Sequence, residues 1–434
     1  MQKKEYEGFF GVCMQKKYYL CISTENVTMI ISRNNLLLLF AFVNFIPLWA
    51  CTSAVISGKS TPDGRPLLWK HRDTDFLRNH VAYVKGERYD FIADVNSATC
   101  LHPTEAWVGT NNAGFALMNT QSYNLVDVKP GEERGEANGR VIFRALEICA
   151  TVEDFCHFLD TITKPSLIEA NFGVIDAQGG AAMFEVDYYK YTMYDANEAP
   201  EGCIVRTNFS LSGQENIGGG YVRFMEAERV LMPAAKSKQI TPQLIFNRLS
   251  RSYRNNQLGI DLREGICHSE ESTGWFVDQD FIPRKSSSCS VVVQGVRKGE
   301  NAELTTMWTV LGYPSTGIAV PLWVKCGEKL PQVVVYDEDK QASPLSWKSL
   351  SLAQHVFAFH QGMGTEKYLY WKALYNEEET GYLQQIPMVE QQIFDAVCPV
   401  IESWRRKDKV NTRQLLNLYK DLDGVLTKAF FEMP

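Results

Sequence analysis

The sequence predicts a layered α+β protein. Short β-rich runs and helical stretches follow one another in blocks between residues 51 and 330, which is typical of α+β layers. Several of the β-rich runs are joined by glycine-containing turns, and such short connections favour antiparallel pairing. From about residue 344 the apolar residues recur with a helical period. We therefore expect three parts: a leader at 1–50, a folded domain at 51–330 and a helical extension at 331–434.

The composition excludes several classes of protein. Of the 434 residues, 45% are apolar, 22% charged and 12% aromatic. These fractions are near the globular average and argue against a disordered chain, a collagen, a coiled-coil rod and a polytopic membrane protein. The net charge of −7 offers no basic field for a nucleic-acid backbone. The composition predicts a soluble folded protein with no nucleic-acid partner.

The leader contains an apolar run at 36–49 that has the length of a signal-peptide core. It is shorter than the roughly 20 residues that cross a bilayer. Arg33 supplies a positive flank, and Met29 is an alternative start that would make the signal compact. Cleavage after Ala50 would leave Cys51 as the first residue. We expect an exported protein, periplasmic or extracellular, with no stable membrane span after processing.

Two processing outcomes remain open at this junction. The residues 48–51 resemble a bacterial lipobox, in which Cys51 becomes a lipid anchor, although Trp49 fits that motif poorly. An ordinary signal cleavage would instead leave a free α-amine beside a free thiol on Cys51. The two fates exclude each other chemically.

Export also permits disulfides among the other cysteines, but the spacing does not predict their pairing.

The predicted elements begin with a hairpin around the turn at Pro62-Asp63-Gly64. Its strands, and the β-rich runs that follow, are expected at 52–58, 66–71, 107–110, 115–122, 172–176, 181–186, 191–194, 290–296 and 304–311. Helices are expected at 139–150, 151–159, 221–235 and 241–250, and in the extension at 350–375, 386–405 and 411–431. Thr151 and Asp154 form a capping-box pattern.

Motifs for nucleotides, metals and a serine nucleophile are missing from the sequence. The glycines at 218–220 lack the Lys-Ser/Thr of a phosphate loop and indicate a turn before a helix. His355 and His360 lack the spacing of a zinc-binding helix, and there is no GxSxG elbow. We predict neither a cofactor nor a metal site.

A cysteine at the start of a mature chain can combine a nucleophile and a base in one residue. Its α-amine, with an ordinary pKa of about 7.7 to 8.0, can accept the thiol proton near neutral pH. Such a pair needs a positive group to hold the thiolate and an acceptor to orient the amine. Arg72 and Asp75 follow Cys51 on the chain and offer these two groups.

Five segments of the chain, taken in order, resemble a known family. They are Cys51-Thr52, PDGRPLLWKHRDTD, GTNNAGFALMN, GGAAMFEVDYYKYTMYD and Arg206-Thr207-Asn208. Together they resemble the N-terminal-nucleophile hydrolases of the choloylglycine hydrolase and penicillin V acylase group. The branch that they resemble most is the acyl-coenzyme A:6-aminopenicillanic acid acyltransferases. The resemblance extends from Cys51 to about residue 324 and leaves the helical extension outside.

The resemblance implies a four-layered αββα core with two antiparallel sheets between helical layers, and linear amide C–N bonds as substrates. It implies that Cys51 is the nucleophile and that its amine is the base. Arg72 would hold and polarise the thiol. Asp75 would form a hydrogen bond with the amine.

Further site residues are implied by the same resemblance. Asn119 and Asn208 would face the oxyanion of the tetrahedral intermediate, where neutral N–H donors are most useful. Arg223 would complete the site, with Arg229 as a rival for that role. The stretch between Asn208 and Arg223 is shorter than in choloylglycine hydrolases, so neither their bile-salt specificity nor their tetramer is expected to carry over.

These inferences predict an exported amidohydrolase or acyltransferase that acts on a small amide through a thioester on Cys51. The alternative is a lipid-anchored binding protein on the same fold, with Cys51 used as the anchor. The acyl group, the amine, the balance between hydrolysis and transfer, and the oligomeric state are left open by the sequence.

Overall fold

The computed structural model describes residues 50–99, 103–127, 137–264, 272–278, 280–358 and 368–434, with two short strands before them. The chain divides into two compact units, Met1–Leu48 and Trp49–Pro434. In the first unit, Tyr18–Leu20 pairs antiparallel with Met29–Ile31. The predicted signal core at 36–49 lies outside the described residues.

Two main sheets and six longer helices form the described part of the second unit. The strands are β1 (Thr52–Ile56), β2 (Leu67–Asp73), β3 (Asn79–Val84), β4 (Phe91–Asn96), β5 (Val108–Asn111), β6 (Ala116–Gln121), β7 (Ala170–Ile175), β8 (Ala181–Val186), β9 (Tyr191–Asp195), β10 (Cys203–Arg206), β11 (Ser287–Gln294), β12 (Thr306–Leu311) and β13 (Val320–Leu322). The helices are α1 (Asn138–Ile148), α2 (Val152–Thr161), α3 (Tyr221–Lys236), α4 (Pro344–Ala353), α5 (Tyr382–Lys407) and α6 (Thr412–Ala429).

Shorter elements connect these. The single-turn α-helix Pro242–Leu244 continues into the π-helix Ile245–Leu249. Short strands outside the main sheets are Arg254–Asn255, Ile260–Asp261, Trp275–Val277 and Tyr368–Tyr370. Turns of 3-10 helix are Gly58–Ser60, Ser97–Thr99, Ala302–Leu304, Val324–Cys326 and Trp371–Ala373.

Both main sheets are antiparallel throughout. The seven-stranded sheet has the order β9-β8-β7-β6-β5-β4-β3, and the six-stranded sheet has the order β10-β1-β2-β11-β12-β13. In the six-stranded sheet β1 therefore lies between β10 and β2, and the residue that precedes β1 is Cys51.

Apolar side chains divide the fold into layers. One buried cluster joins α1 and α2 to the outer face of the seven-stranded sheet through residues such as Ile142, Phe155 and Phe172. A second, larger cluster fills the space between the sheets and extends to α3 and the C-terminal helices. The order of layers is helix, sheet, sheet, helix, so the predicted α+β class and αββα arrangement are confirmed.

The C-terminal residues share the second cluster with the sheets. The Trp308 ring on β12 lies 4.4 Å, centroid to centroid, from Phe394 on α5. Arg251 and Glu390 form an ion pair of 2.6 Å with both side chains buried, which joins the segment before the C-terminal region to α5. Because apolar residues of α5 belong to the second cluster and this charge pair is buried beside them, α5 is part of the same core.

The local predictions have mixed outcomes. The opening hairpin is confirmed by the pairing of Thr52 with His71, and the capping box of Thr151 with Asp154 is present. The helix predicted at 350–375 is wrong, because α4 ends at Ala353 and Tyr368–Tyr370 pairs as a strand with Trp275–Val277. Strands β3, β4, β10 and β13 were not predicted.

The described residues have three further features, which concern membrane spans, metal ligands and cysteines. None of their helices is both long and apolar enough to cross a membrane. No three of their His, Cys, Asp and Glu side chains gather as metal ligands would. Seven of the cysteines are described, and all seven are free thiols. Cys100 and Cys267 lie outside the described residues.

Candidate active site

Cys51 occupies the head of β1 and is only 6% exposed. The chain is continuous from Ala50, so its nitrogen is a peptide nitrogen here and would become the α-amine after cleavage. This nitrogen donates a 3.0 Å hydrogen bond to Oδ1 of Asn208. The thiol lies 3.8 Å from the backbone carbonyl oxygen of Asp73. The atoms that would become nucleophile and base thus both have fixed neighbours.

Asn208 is held from three sides just after β10. Its backbone N–H and C=O pair with Gly219 at 3.2 Å. Its Nδ2 donates to the carbonyl oxygen of Gln121 at 2.9 Å, while its Oδ1 accepts from Cys51 and from Arg223. These partners fix which side of the amide faces Cys51. The atom that faces the future amine is the acceptor oxygen.

Arg223 lies in the first turn of α3 and is the cation in direct contact with Cys51. Its Nη1 donates to the carbonyl oxygen of Cys51 at 2.5 Å and to Thr52 Oγ1 at 3.0 Å, and its Nη2 donates to Asn208 Oδ1 at 2.9 Å. Gly220, in a left-handed conformation (φ 82°), precedes the helix, and a Cβ there would collide with the guanidinium. This position therefore requires glycine.

Arg229, the rival, lies elsewhere on α3. It forms two hydrogen bonds of 2.7 Å with the carboxylate of Glu226. The structure therefore brings Arg223 to Cys51 and leaves Arg229 in an ion pair of its own.

Arg72 is buried on β2, beside Cys51, but its guanidinium points at the other sheet. Its Nη2 donates to Asn96 Oδ1 at 2.7 Å, and its Nη1 lies 3.6 Å from the Asp94 carboxylate. The guanidinium carbon also lies 4.5 Å from the centre of the Trp107 ring. These contacts join the two sheets below the site.

Asp75 is exposed in the loop after β2, and no hydrogen bond joins it to Cys51 within the described residues. The acidic residue beside Cys51 is Asp73, which is fully buried. Its Oδ1 accepts from Ser287 Oγ at 2.6 Å, and its Oδ2 lies 3.3 Å from Nε of Arg284. Burial raises the pKa of Asp73 to about 6, against the opposing effect of Arg284 and Arg223.

Asn119 lies on β6, in the sheet that faces Cys51, and is 3% exposed. Its Oδ1 accepts a 2.7 Å hydrogen bond from Nζ of Lys70. Within the described part of the chain no acceptor takes its Nδ2. The amide therefore has its oxygen held and its N–H donors available.

Glu185 organises the segment that begins with Asn208. Its carboxylate accepts from Nε of Arg206 at 2.6 Å and from the backbone N–H groups of Leu211 and Ser212 at 2.8 and 2.7 Å. Burial by itself would raise the pKa of Glu185, but Arg206 and these donors outweigh it, so the net direction is downward. The carboxylate thus holds the chain on both sides of Asn208.

Sequence reasoning missed Lys70 and Asp73, whereas the pattern around Glu185 indicates a buried structural carboxylate. Lys70 and Asp73 lie within the quoted segment PDGRPLLWKHRDTD, but the alternation of Lys70 and Arg72 on a strand is also typical of a solvated face. Glu185 sits between two apolar residues of a β-rich run, and that was the available signal of a buried carboxylate.

Taken together, the groups present are those that acyl transfer uses. Cys51 has a thiol, a nitrogen held by an amide oxygen and a buried guanidinium in contact, and the facing sheet supplies an available amide donor. These are the groups that nucleophilic attack, deprotonation of the nucleophile and stabilisation of a tetrahedral intermediate require.

Comparisons with known proteins find similarity to solved structures. No protein-family model matches the chain, and no curated protein matches it in sequence. A variant of the conjugated bile acid hydrolase from Clostridium perfringens is similar with a TM-score of 0.39 and 11% identity over 63% of this chain and 93% of that one. A Caenorhabditis elegans orthologue of N-acylethanolamine-hydrolyzing acid amidase has a TM-score of 0.36 and 15% identity over 56% and 92%. Penicillin V acylase from Agrobacterium tumefaciens has a TM-score of 0.36 and 14% identity over 63% and 86%.

Proposed function

We propose that the protein is an exported N-terminal-cysteine amidohydrolase or acyltransferase, active once the chain begins at Cys51. The observation that carries the proposal is the hydrogen bond from the Cys51 nitrogen to Asn208 Oδ1. An acceptor at this place orients a free amine so that its lone pair can take the thiol proton. Arg223 supports the same geometry because it binds both the Cys51 carbonyl and Asn208 Oδ1.

In acylation, the thiol sulfur attacks the carbonyl carbon of a linear amide and its proton passes to the α-amine. A C–S bond forms and the carbonyl oxygen becomes an oxyanion, for which the available Nδ2 of Asn119 is the donor that we propose. The amine then gives its proton to the nitrogen of the substrate as the C–N bond breaks. An amine leaves, and a thioester remains on Cys51.

In deacylation, the α-amine accepts a proton from water or from a second amine as that molecule attacks the thioester. Attack by water forms a C–O bond, breaks the C–S bond and releases an acid. Attack by an amine forms a new amide, which is acyl transfer. Either route returns the proton to the sulfur and restores the starting state.

The roles differ in three places from those implied by the resemblance. Arg72 receives no role at the thiol, because its guanidinium contacts Asp94 and Asn96. We assign Asn208 to the amine, because its oxygen and not its nitrogen faces Cys51. Asp75 receives no role, since it is exposed in the loop after β2.

The lipid-anchor alternative meets a steric objection. A diacylglyceryl group on the sulfur needs open space, whereas Cys51 is 6% exposed and its thiol lies against the Asp73 carbonyl. The head of β1 would have to leave the sheet to accommodate the lipid. The same burial would meet the acyl group of the thioester, so the intact mass of the processed protein decides between a lipid-linked and a free Cys51.

Trapping of the thioester tests the proposal. Protein that begins at Cys51 is offered a panel of N-acyl amino acids, bile-acid conjugates and penicillin V, and its intact mass is recorded during turnover. We expect an added acyl mass on the peptide that contains Cys51 and no turnover by Cys51→Ala. Cys156→Ala, which removes a partly exposed thiol elsewhere, is the matched control and should behave like the unaltered protein. Turnover by Cys51→Ala would remove the thiol from the mechanism.

A further inference from the structure

Lys70 is a buried lysine whose contacts all lie between the two sheets. It is 1% exposed, and its Nζ donates to Asn119 Oδ1 at 2.7 Å and to the Trp107 carbonyl oxygen at 2.9 Å. It also lies 5.7 Å from the centre of the Trp107 ring. A lysine is rarely buried this completely without a specific partner.

Lys70 also lies near Cys51 through the register of the sheet, because β2 pairs with β1, the strand that Cys51 precedes. It lies on β2, directly opposite Ser53 of β1, two residues from Cys51. Arg72 on the same strand is already engaged with Asp94 and Asn96 across the sheets. Lys70 is therefore the cation of this strand that binds Asn119.

We propose that Lys70 is a positioning residue for the acyl-transfer chemistry, which fixes the Asn119 amide with its N–H donors free and places a positive charge beside the thiolate. The inference rests on the proposed function for its role in turnover. A held amide costs no reorganisation when the oxyanion forms, and this preorganisation is the source of the rate gain. An unheld Asn119 could turn its oxygen toward the same point and repel the oxyanion.

The charge on Lys70 depends on pH in the range where the enzyme would work. Burial lowers the pKa of Lys70 to about 8, with Cys51, Cys289 and Asp94 acting in the opposite direction and Arg72 in the same one. These are the charged and titratable groups that face Lys70: Cys51 precedes β1, Cys289 lies on β11, Asp94 lies on β4 and Arg72 lies on β2. Above about pH 8 the lysine loses its proton, and its hold on Asn119 weakens.

A double-mutant cycle tests the connection with Asn119. The acylation rate is measured for Lys70→Met, Asn119→Ala and the double variant. We expect Lys70→Met to lower the rate by about 30-fold or more at unchanged KM, and to lower it only by the few-fold that the charge beside the thiolate contributes when Asn119 is already alanine. Lys59→Met removes an exposed lysine that also donates to two carbonyl oxygens, at 2.7 and 2.6 Å, and should leave the rate unchanged. Fully additive losses, or a loss below threefold for Lys70→Met, would overturn the proposal.

The pH profile keeps the test decisive if Lys70→Met does not fold. Arginine stays protonated at every pH used, so Lys70→Arg should keep its acylation rate above pH 8 while that of the unaltered protein declines. Identical alkaline limbs for the two proteins would contradict the role of Lys70.

Alkylation of Cys51 by iodoacetamide needs no amide substrate and separates this proposal from the proposed function. Without the lysine charge, alkylation at pH 7 should slow at least threefold, as located by peptide mass. A protein that turns over no amide but shows this slowing would lose the proposed function and keep the contact between Lys70 and Cys51. A protein that turns over amides, with alkylation and acylation unaffected by Lys70→Met, would lose only the role of Lys70.

Discussion

The backbone nitrogen of Cys51 and the side-chain oxygen of Asn208 form a 3.0 Å hydrogen bond across 157 positions of the chain. The bond connects the start of β1 to the end of β10, its neighbour in the sheet. Arg223 donates to the same oxygen, so one acceptor fixes both the future amine and the cation beside it. This shared acceptor makes Asn208 the residue on which the proposed base depends most.

Asn208→Ala should lower kcat/KM by about 100-fold, because the amine loses its acceptor and Arg223 loses a partner. The lost buried hydrogen bonds should also lower the free energy of unfolding by about 1–3 kcal/mol. Steady-state kinetics and urea unfolding measure the two effects separately. Asn112→Ala, in an exposed turn, is the control and should change neither. A loss of activity below threefold would remove Asn208 from the site.

Glu185→Gln should destabilise the fold by about 3–5 kcal/mol, because Arg206 is left buried without its carboxylate partner. The pKa of Glu185 is lowered in the folded state. Its contribution to stability is therefore complete above the ordinary glutamate pKa of about 4.3 and is lost as the pH falls below it. Urea unfolding between pH 3 and 7 should show this acid loss in the unaltered protein and a smaller one in Glu185→Gln. Exposed Glu198 offers the matched Glu198→Gln control, and an equal acid loss in all three proteins would refute the assignment.

Asp94 should affect stability in the opposite direction. Burial raises the pKa of Asp94 to about 6, against Arg72 and Lys70, so the folded protein holds a proton that the unfolded chain releases between about pH 4 and 6. The free energy of unfolding should therefore decrease as the pH rises through this window. The pKa of Asp73 is likewise raised to about 6, so Asp94→Asn removes one of two such titrations and should reduce this decrease by about 2–3 kcal/mol. An unchanged slope in Asp94→Asn would show that another group titrates there.

Glu390→Gln should destabilise the protein by about 3–5 kcal/mol, because Glu390 accepts from Arg251 at 2.6 and 2.8 Å and from the Ala319 N–H at 2.8 Å. Glu402→Gln alters an ion pair on the same helix whose carboxylate side chain is 55% exposed, and it should cost less than about 1 kcal/mol. Thermal unfolding of the two variants gives the comparison. Equal melting temperatures for both would mean that α5 does not share the core as described.

The strands and turns with strong local signals could be predicted from the sequence. Thr52 to His71 reads as a hairpin because β-branched residues surround a Pro-Asp-Gly turn, and Thr151 with Asp154 reads as a helix start. The helix predicted at 350–375 was wrong because apolar spacing alone does not tell a short strand such as Tyr368–Tyr370 from a helical face.

The local environment of the site residues could not be predicted, because it depends on which sheet faces which. Lys70 and Arg72 alternate with Trp69 and His71, a pattern that also fits a half-solvated strand. Stacking of the seven-stranded sheet buries both cations and supplies Asn119 and Asp94 as their partners. Asp73 lies nearer to Cys51 than Asp75 does, because β2 continues to residue 73 and the chain then turns outward.

The central claim is that the α-amine of Cys51 is the base. Residues left in front of Cys51 turn that amine into an amide with no useful basicity, so the direct measurement is turnover against the fraction of free N-terminal Cys51. Samples are prepared by releasing the chain with a protease to different extents, and intact mass gives the fraction in each. Turnover should rise in proportion to that fraction and extrapolate to zero. Equal turnover by homogeneous protein that carries extra residues before Cys51 would contradict the account, even if Cys51 were still the nucleophile.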